Sequence, residues 1–113
     1  MTPLADLADP VPGGHPGDVE RATALSGELS GAGVQGVVLA YVDTAGVGRV
    51  KTIPTARLAS AAAWGVGMSP VFDTFLANDH IVATDVLGSP DGDLRLYPDL
   101  GRLVVLAGQP GWA

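Results

Sequence analysis

The sequence predicts an α+β fold in one small domain, and three features predict it. Residues 34–42 form a β-branched, apolar run; residues 49–53 alternate polar and apolar behind turn chemistry; and each strand region follows a stretch with helical spacing and helical end signals. Helix, hairpin, helix and then further strands is an α+β order, unlike the regular alternation that builds a parallel sheet. At 113 residues the chain has room for a single modest core.

The elements follow in order. Residues 1–17 carry Pro3, Pro10, Pro12 and Pro16 with Gly13, Gly14 and Gly17, a density of breakers that reads as a flexible tail ahead of a domain spanning 18–113. A helix is expected from Asp18, with Asp18 as its cap and Glu20 at its positive end. Ala22, Leu25, Leu29 and Ala32 share its apolar face, and Gly31 and Gly33 end it. Residues 34–42, apolar on both faces, read as a central strand. Asp43-Thr44-Ala45-Gly46 turns the chain into 49–53, which completes a hairpin. Pro54 suits the first position of a second helix through Ala56, Leu58 and Ala62 to about Trp64, with Gly65 and Gly67 as breakers. A loop over 65–92 follows, with short strands expected near Val71-Phe72 and Ile81-Val82. Residues 94–97 and 103–106 read as two more strands.

Composition narrows the function classes. The chain is 47% hydrophobic and 16% charged, which places it among globular domains. With no cysteine there is no disulfide, no thiolate zinc site and no cysteine nucleophile. No apolar run approaches the roughly 18 residues of a membrane span and no signal peptide opens the chain, so a soluble, cytoplasmic protein without a membrane partner is expected. The net charge is −6, unevenly spread: residues 71–99 hold six Asp against Arg95 alone, while residues 34–70 hold Arg49, Lys51 and Arg57 against Asp43. Nucleic acid needs a basic face and is not an expected partner. An acidic lobe instead concentrates small cations such as ammonium or a polyamine, although most of its Asp residues read as turn formers.

Several motifs fail on context. Gly31-Ala32-Gly33-Val34-Gln35-Gly36 fits G-x-G-x-x-G but runs from helix to strand, the reverse of a dinucleotide site. The Lys51-Thr52 pair lacks the preceding glycine of a phosphate loop and lies in a hairpin, where Arg49 and Lys51 read as an exposed strand face. His80 with Asp79, Asp85, Asp91 and Asp93 has neither EF-hand nor zinc spacing, so no metal site is expected there.

Two segments carry a more specific signal: Val71-Phe72-Asp73 and, some twenty residues on, Asp93-Leu94-Arg95-Leu96-Tyr97-Pro98-Asp99. Tyr41-Val42-Asp43, Gly46, Lys51 and Ile53-Pro54 precede them in order. Over residues 34–113 this pattern resembles the amino-terminal domain of the glutamine synthetase family, which carries a Phe-Asp loop followed by a strand of Asp-hydrophobic-x-hydrophobic-x-Pro-Asp. The resemblance implies a β-grasp-like domain, a small mixed sheet packed on one or two helices. It also implies that Asp73, with Phe72, Thr74 and Phe75 as its substrate loop, reaches the ammonium or amine site of an adjacent subunit in a ring-shaped homo-oligomer. By pattern alone, Asp73 reads first as the cap of a turn before residues 74–78, and it is the resemblance that favours the amine-site role.

The implied reaction is ATP-dependent ligation of glutamate to ammonia, with ATP and magnesium or manganese held by a catalytic domain that the resemblance places beyond these residues; no cofactor site falls on this chain. The loop departs from the family in one respect. Thr74-Phe75-Leu76 stands where glutamine-forming members have Gly-Ser-Ser, a divergence similar to branches that join glutamate to a polyamine or other amine. Phe75 and Leu76 offer such an amine apolar surface. A stand-alone, non-catalytic β-grasp interaction module is the alternative of another class.

Overall fold

The computed structural model describes residues 14–85 and 92–113. The chain forms α1 (Asp18–Gly31), β1 (Gly36–Val42), β2 (Gly48–Pro54), a 3-10 turn (Thr55–Arg57), α2 (Leu58–Trp64), β3 (Val66–Met68), α3 (Val71–Thr74), β4 (Leu94–Leu96) and a second 3-10 turn (Leu100–Arg102). This is the expected α+β class, built on small antiparallel sheets. In the expected hairpin, β1 and β2 pair so that Val37 faces Ile53 and Tyr41 faces Arg49. A parallel bridge joins Gly36 to Trp112 on the other edge of β1. The Val38 N–H donates to the Ala113 carbonyl at 2.8 Å and the Ala113 N–H to the Gly36 carbonyl at 3.1 Å, so the sheet is mixed there. β1 is central only along its first half; Val42 lies 69% exposed at the far end. Gly36 is required by that closure, because a Cβ on it would stand 2.5 Å from the Trp112 ring.

The core sits where the two helices meet the start of β1. Ala22 and Leu29 of α1, Leu58 and Ala62 of α2, Val34, Val37, Leu100 and Ala113 make one buried cluster. Ala22 and Leu29 are the expected inward positions of α1, Leu25 packs on their flank, and Ala32 is exposed beyond the last turn. The Thr55 hydroxyl, buried under this cluster, donates to the Val34 carbonyl at 3.0 Å and ties the second helical region to the start of β1.

Several local expectations are corrected. Asp18 is the first helical residue and not the cap: Gly17 precedes the helix, and the Asp18 carboxylate turns back to accept the His15 N–H at 2.8 Å. Gly33, at φ 82°, does end α1, with the Val34 N–H closing on the Leu29 carbonyl at 2.9 Å. Pro54 finishes β2 and precedes the 3-10 turn, so the second helix itself begins at Leu58. Val71-Phe72 is helical and not a strand. Pro70, at φ −66°, and the Ser69 hydroxyl, which accepts the Val71 N–H at 3.2 Å, start a turn there instead. Ile81 makes only an isolated bridge to Phe75.

Residues 103–106 are not a strand. Val104 is 63% and Val105 57% exposed, and β propensity needs a partner strand that this run does not find. β4 forms at Leu94–Leu96, paired antiparallel with β3, which the sequence did not suggest. Residues 1–13 of the expected tail, and Asp91, lie outside the described residues. Among the described residues no helix is long and apolar enough to cross a membrane.

Candidate functional site

The loop carrying Asp73 leaves the domain at β3 and returns at β4. Those two strands pair over three residues each, from Val66 opposite Leu96 to Met68 opposite Leu94, and so tie the ends of the excursion together. Asp73 is the third residue of the four-residue helix α3, half-buried, with its N–H on the Pro70 carbonyl at 3.0 Å. Beside it is a small hollow of about 260 Å³, lined by Asp73, Thr74, Phe75, Leu76, Val82 and Thr44 among others. An aspartate in the lining of a mainly apolar recess suits a ligand that is cationic at one end and hydrocarbon along its length. A larger groove of about 840 Å³ runs along β1 toward residues 95–106. Its walls are mainly aliphatic side chains that flank the core, and Asp73 is not among them.

The four residues singled out in the sequence stand together but divide their work. Asp73, Thr74 and Phe75 line the hollow, whereas Phe72 is not part of its lining and packs under Arg49 of the first hairpin. Thr74 is buried, and its hydroxyl donates to the Val71 carbonyl at 2.7 Å, closing its own turn. The phenyl rings of Phe72 and Phe75 bracket Asp73 in the chain and lie 6.3 Å apart, tilted at 54°.

Arg49 is the residue the sequence reading missed. Expected on an exposed strand face, it is half-buried, with its guanidinium 4.7 Å from the Phe72 ring centroid and 5.9 Å from that of Phe75. Its Nε donates to Asp43 Oδ2 at 2.9 Å, and Asp43 Oδ1 accepts the Val47 N–H at 2.9 Å. The Asp43 side chain has no solvent exposure. The Val47 N–H and then the Arg49 guanidinium hold its carboxyl below the ordinary value near 3.8, against the opposing effect of burial. Lys51 remains exposed, its ammonium on the Gly67 carbonyl. Thr44, in the hairpin turn, donates its hydroxyl to the Asp73 carbonyl at 2.8 Å.

Tyr41, the cross-strand partner of Arg49, places its hydroxyl in the same region, buried and with no hydrogen-bond partner among the described residues. Burial pushes that phenol above its ordinary pKa, the negative charge of Asp73 adds to the rise, and Arg49 opposes it. The motif Tyr41-Val42-Asp43 thus does more than mark a strand end, since both side chains face the Asp73 turn through Arg49.

The Asp43 result gives a pH prediction. A folded pKa below the unfolded one means that the carboxylate's contribution to stability is complete above about pH 4 and is lost as pH falls through the folded pKa. The gap in urea midpoint between the parent chain and Asp43→Asn is therefore expected to be constant from pH 7 to 5 and to shrink below pH 4. A gap that stays constant down to pH 2 would show that Asp43 contributes nothing through its charge.

No family model and no solved structure matches the chain. Over 106 residues it is 83% identical to the gamma-glutamylpolyamine synthetase GlnA3 of Streptomyces coelicolor. The match takes in 94% of this chain and 23% of that protein, so the chain spans about a quarter of the length of the curated relative. The matched part of the relative is its amino-terminal region, the part of the molecule to which the Phe72-Asp73 pattern pointed. The chain belongs to the glutamine synthetase family, over the amino-terminal region that it shares with this relative.

Proposed function

We propose that this chain is the amino-terminal domain of an ATP-dependent γ-glutamyl-polyamine ligase, to which it brings the Asp73 loop as part of the amine site. The observation that carries this reading is the 83% identity with a gamma-glutamylpolyamine synthetase. The sequence put ammonia first and a polyamine second; that identity reverses the order, and it favours a ligase over a non-catalytic interaction module. The hollow agrees with a polyamine on chemical grounds. Ammonium needs only a charge and hydrogen-bond acceptors, whereas Phe75, Leu76, Ala77 and Val82 give an alkyl chain somewhere to lie.

The chemistry asked of Asp73 is the handling of one proton. A protonated amine has no lone pair and cannot attack an acyl phosphate. The carboxylate binds the cationic end, takes its proton and leaves a neutral amine, whose nitrogen attacks the γ-carbonyl carbon of γ-glutamyl phosphate. The new carbon–nitrogen bond forms as the carbon–oxygen bond to phosphate breaks, and the departing phosphate carries off the second proton that the nitrogen sheds. ATP and magnesium or manganese belong, in this reading, to the remainder of the longer protein. The domain would reach the amine site from an adjacent subunit of a homo-oligomer.

Glutamate-dependent ADP release by the full-length protein, measured with ammonium, putrescine and spermidine in turn, tests the reading. Preference for a polyamine, by at least about tenfold in kcat/KM, is the expected result. A preference for ammonium would return the assignment to glutamine formation, and no amine-dependent turnover at all would favour the interaction module.

A further inference from the structure

The helix that presents Asp73 is one turn long, too short to hold itself together. What fixes it lies in the first hairpin, twenty or more residues earlier in the chain. The Thr44 hydroxyl holds the Asp73 carbonyl at 2.8 Å. Arg49 covers Phe72 and Phe75, the residues immediately before and two after Asp73, with its guanidinium 4.7 and 5.9 Å from their ring centroids. Arg49 has little freedom of its own, because Asp43 grips its Nε while the hairpin backbone grips Asp43.

We propose that Arg49, seated on Asp43 of the first hairpin, is a positioning residue for Asp73. By clamping the rings on either side of it, Arg49 sets where the carboxylate meets the amine. The proposal rests on the amine-site reading for its consequence in catalysis, but the clamp itself is a statement about the loop. Shape matters as much as charge. A guanidinium is planar and lies flat on a ring while its edge donates to a carboxylate, whereas a lysine ammonium is a point charge on a flexible stem and cannot do both in the same way. The position would therefore reject lysine, which a purely electrostatic role would accept.

The test compares Arg49→Met, Arg49→Lys and Asp73→Asn in the full-length protein, with Arg102→Met as a charge-removal control on a side chain that is 88% exposed. Two quantities are read: hydrogen exchange of peptides covering residues 69–77, and the KM for spermidine against those for glutamate and ATP. Arg49→Met is expected to speed exchange in the loop about tenfold and to raise the spermidine KM about tenfold with the other two KM values within about twofold. Arg49→Lys should lie close to Arg49→Met in both, where a purely electrostatic role would leave it close to the parent, and Arg102→Met should match the parent in both. Unchanged loop exchange in Arg49→Met overturns the clamp, even where Asp73→Asn abolishes amine use. Equal rises in all three KM values also overturn it, since they mark a general loss of structure. A faster loop combined with a silent Asp73→Asn sustains the clamp and sinks the amine-site reading instead.

Discussion

Leu58→Ala is expected to destabilise the chain by about 2–5 kcal/mol, the range for emptying a fully buried leucine site. Leu58 has no exposed surface and stands in the middle of the cluster formed by Ala22, Leu29, Val34, Val37, Ala62, Leu100 and Ala113. Its neighbours come from both helices, the sheet and the end of the described chain, so no single element can move in to fill the space. Against the roughly 5–15 kcal/mol of a typical domain, that loss leaves a marginal fold. Urea titration gives the measurement, with the midpoint falling and the slope unchanged. Val104→Ala, at a side chain 63% exposed, is the comparison and should stay within about 0.5 kcal/mol of the parent. Equal effects from the two substitutions would show that the core is not organised around Leu58.

What was legible in the sequence, and what was not, divides along the range of the interactions. The hairpin could be read because its causes are local: β-branched runs on either side of Asp43-Thr44-Ala45-Gly46, and a register that the turn imposes. α1 could be read from the spacing of Ala22, Leu25 and Leu29. Residues 103–106 misled because Val104 and Val105 carry strand propensity that only a neighbouring strand can realise. At the candidate site, Asp73 was singled out through a family pattern, and nothing in its own neighbourhood separates it from a turn residue. Arg49 was missed for a related reason. Alternation along β2 assigns it a face, but the rings that cover that face come from Phe72 and Phe75, more than twenty residues away. One sign was available in retrospect: Asp43 and Arg49 are the charged residues closest to the turn, and a hairpin end with one of each sign invites a pair.

Asp73→Asn should remove most amine-dependent turnover while sparing the fold. The side chain's size is unchanged, and the bonds that hold the residue in place, from its N–H to Pro70 and from Thr44 to its carbonyl, are made by its backbone. An amide neither attracts a cation as a carboxylate does nor accepts a proton from it, so kcat/KM for spermidine is expected to fall about 10²–10⁴-fold, the usual worth of a positioned acid–base group. Two further consequences separate this from general damage. The variant must wait for amine that is already neutral, so its activity should climb with pH more steeply than the parent's, toward the amine pKa near 10. Hydroxylamine, a nucleophile largely neutral at pH 7, should be used by variant and parent to similar extents. Spermidine kinetics that match the parent's across this pH range would leave Asp73 as a turn residue and move the amine site elsewhere. A loss that is equal for spermidine and hydroxylamine would show that the substitution damages the acyl phosphate side of the reaction, and the proton would have to be taken by another group.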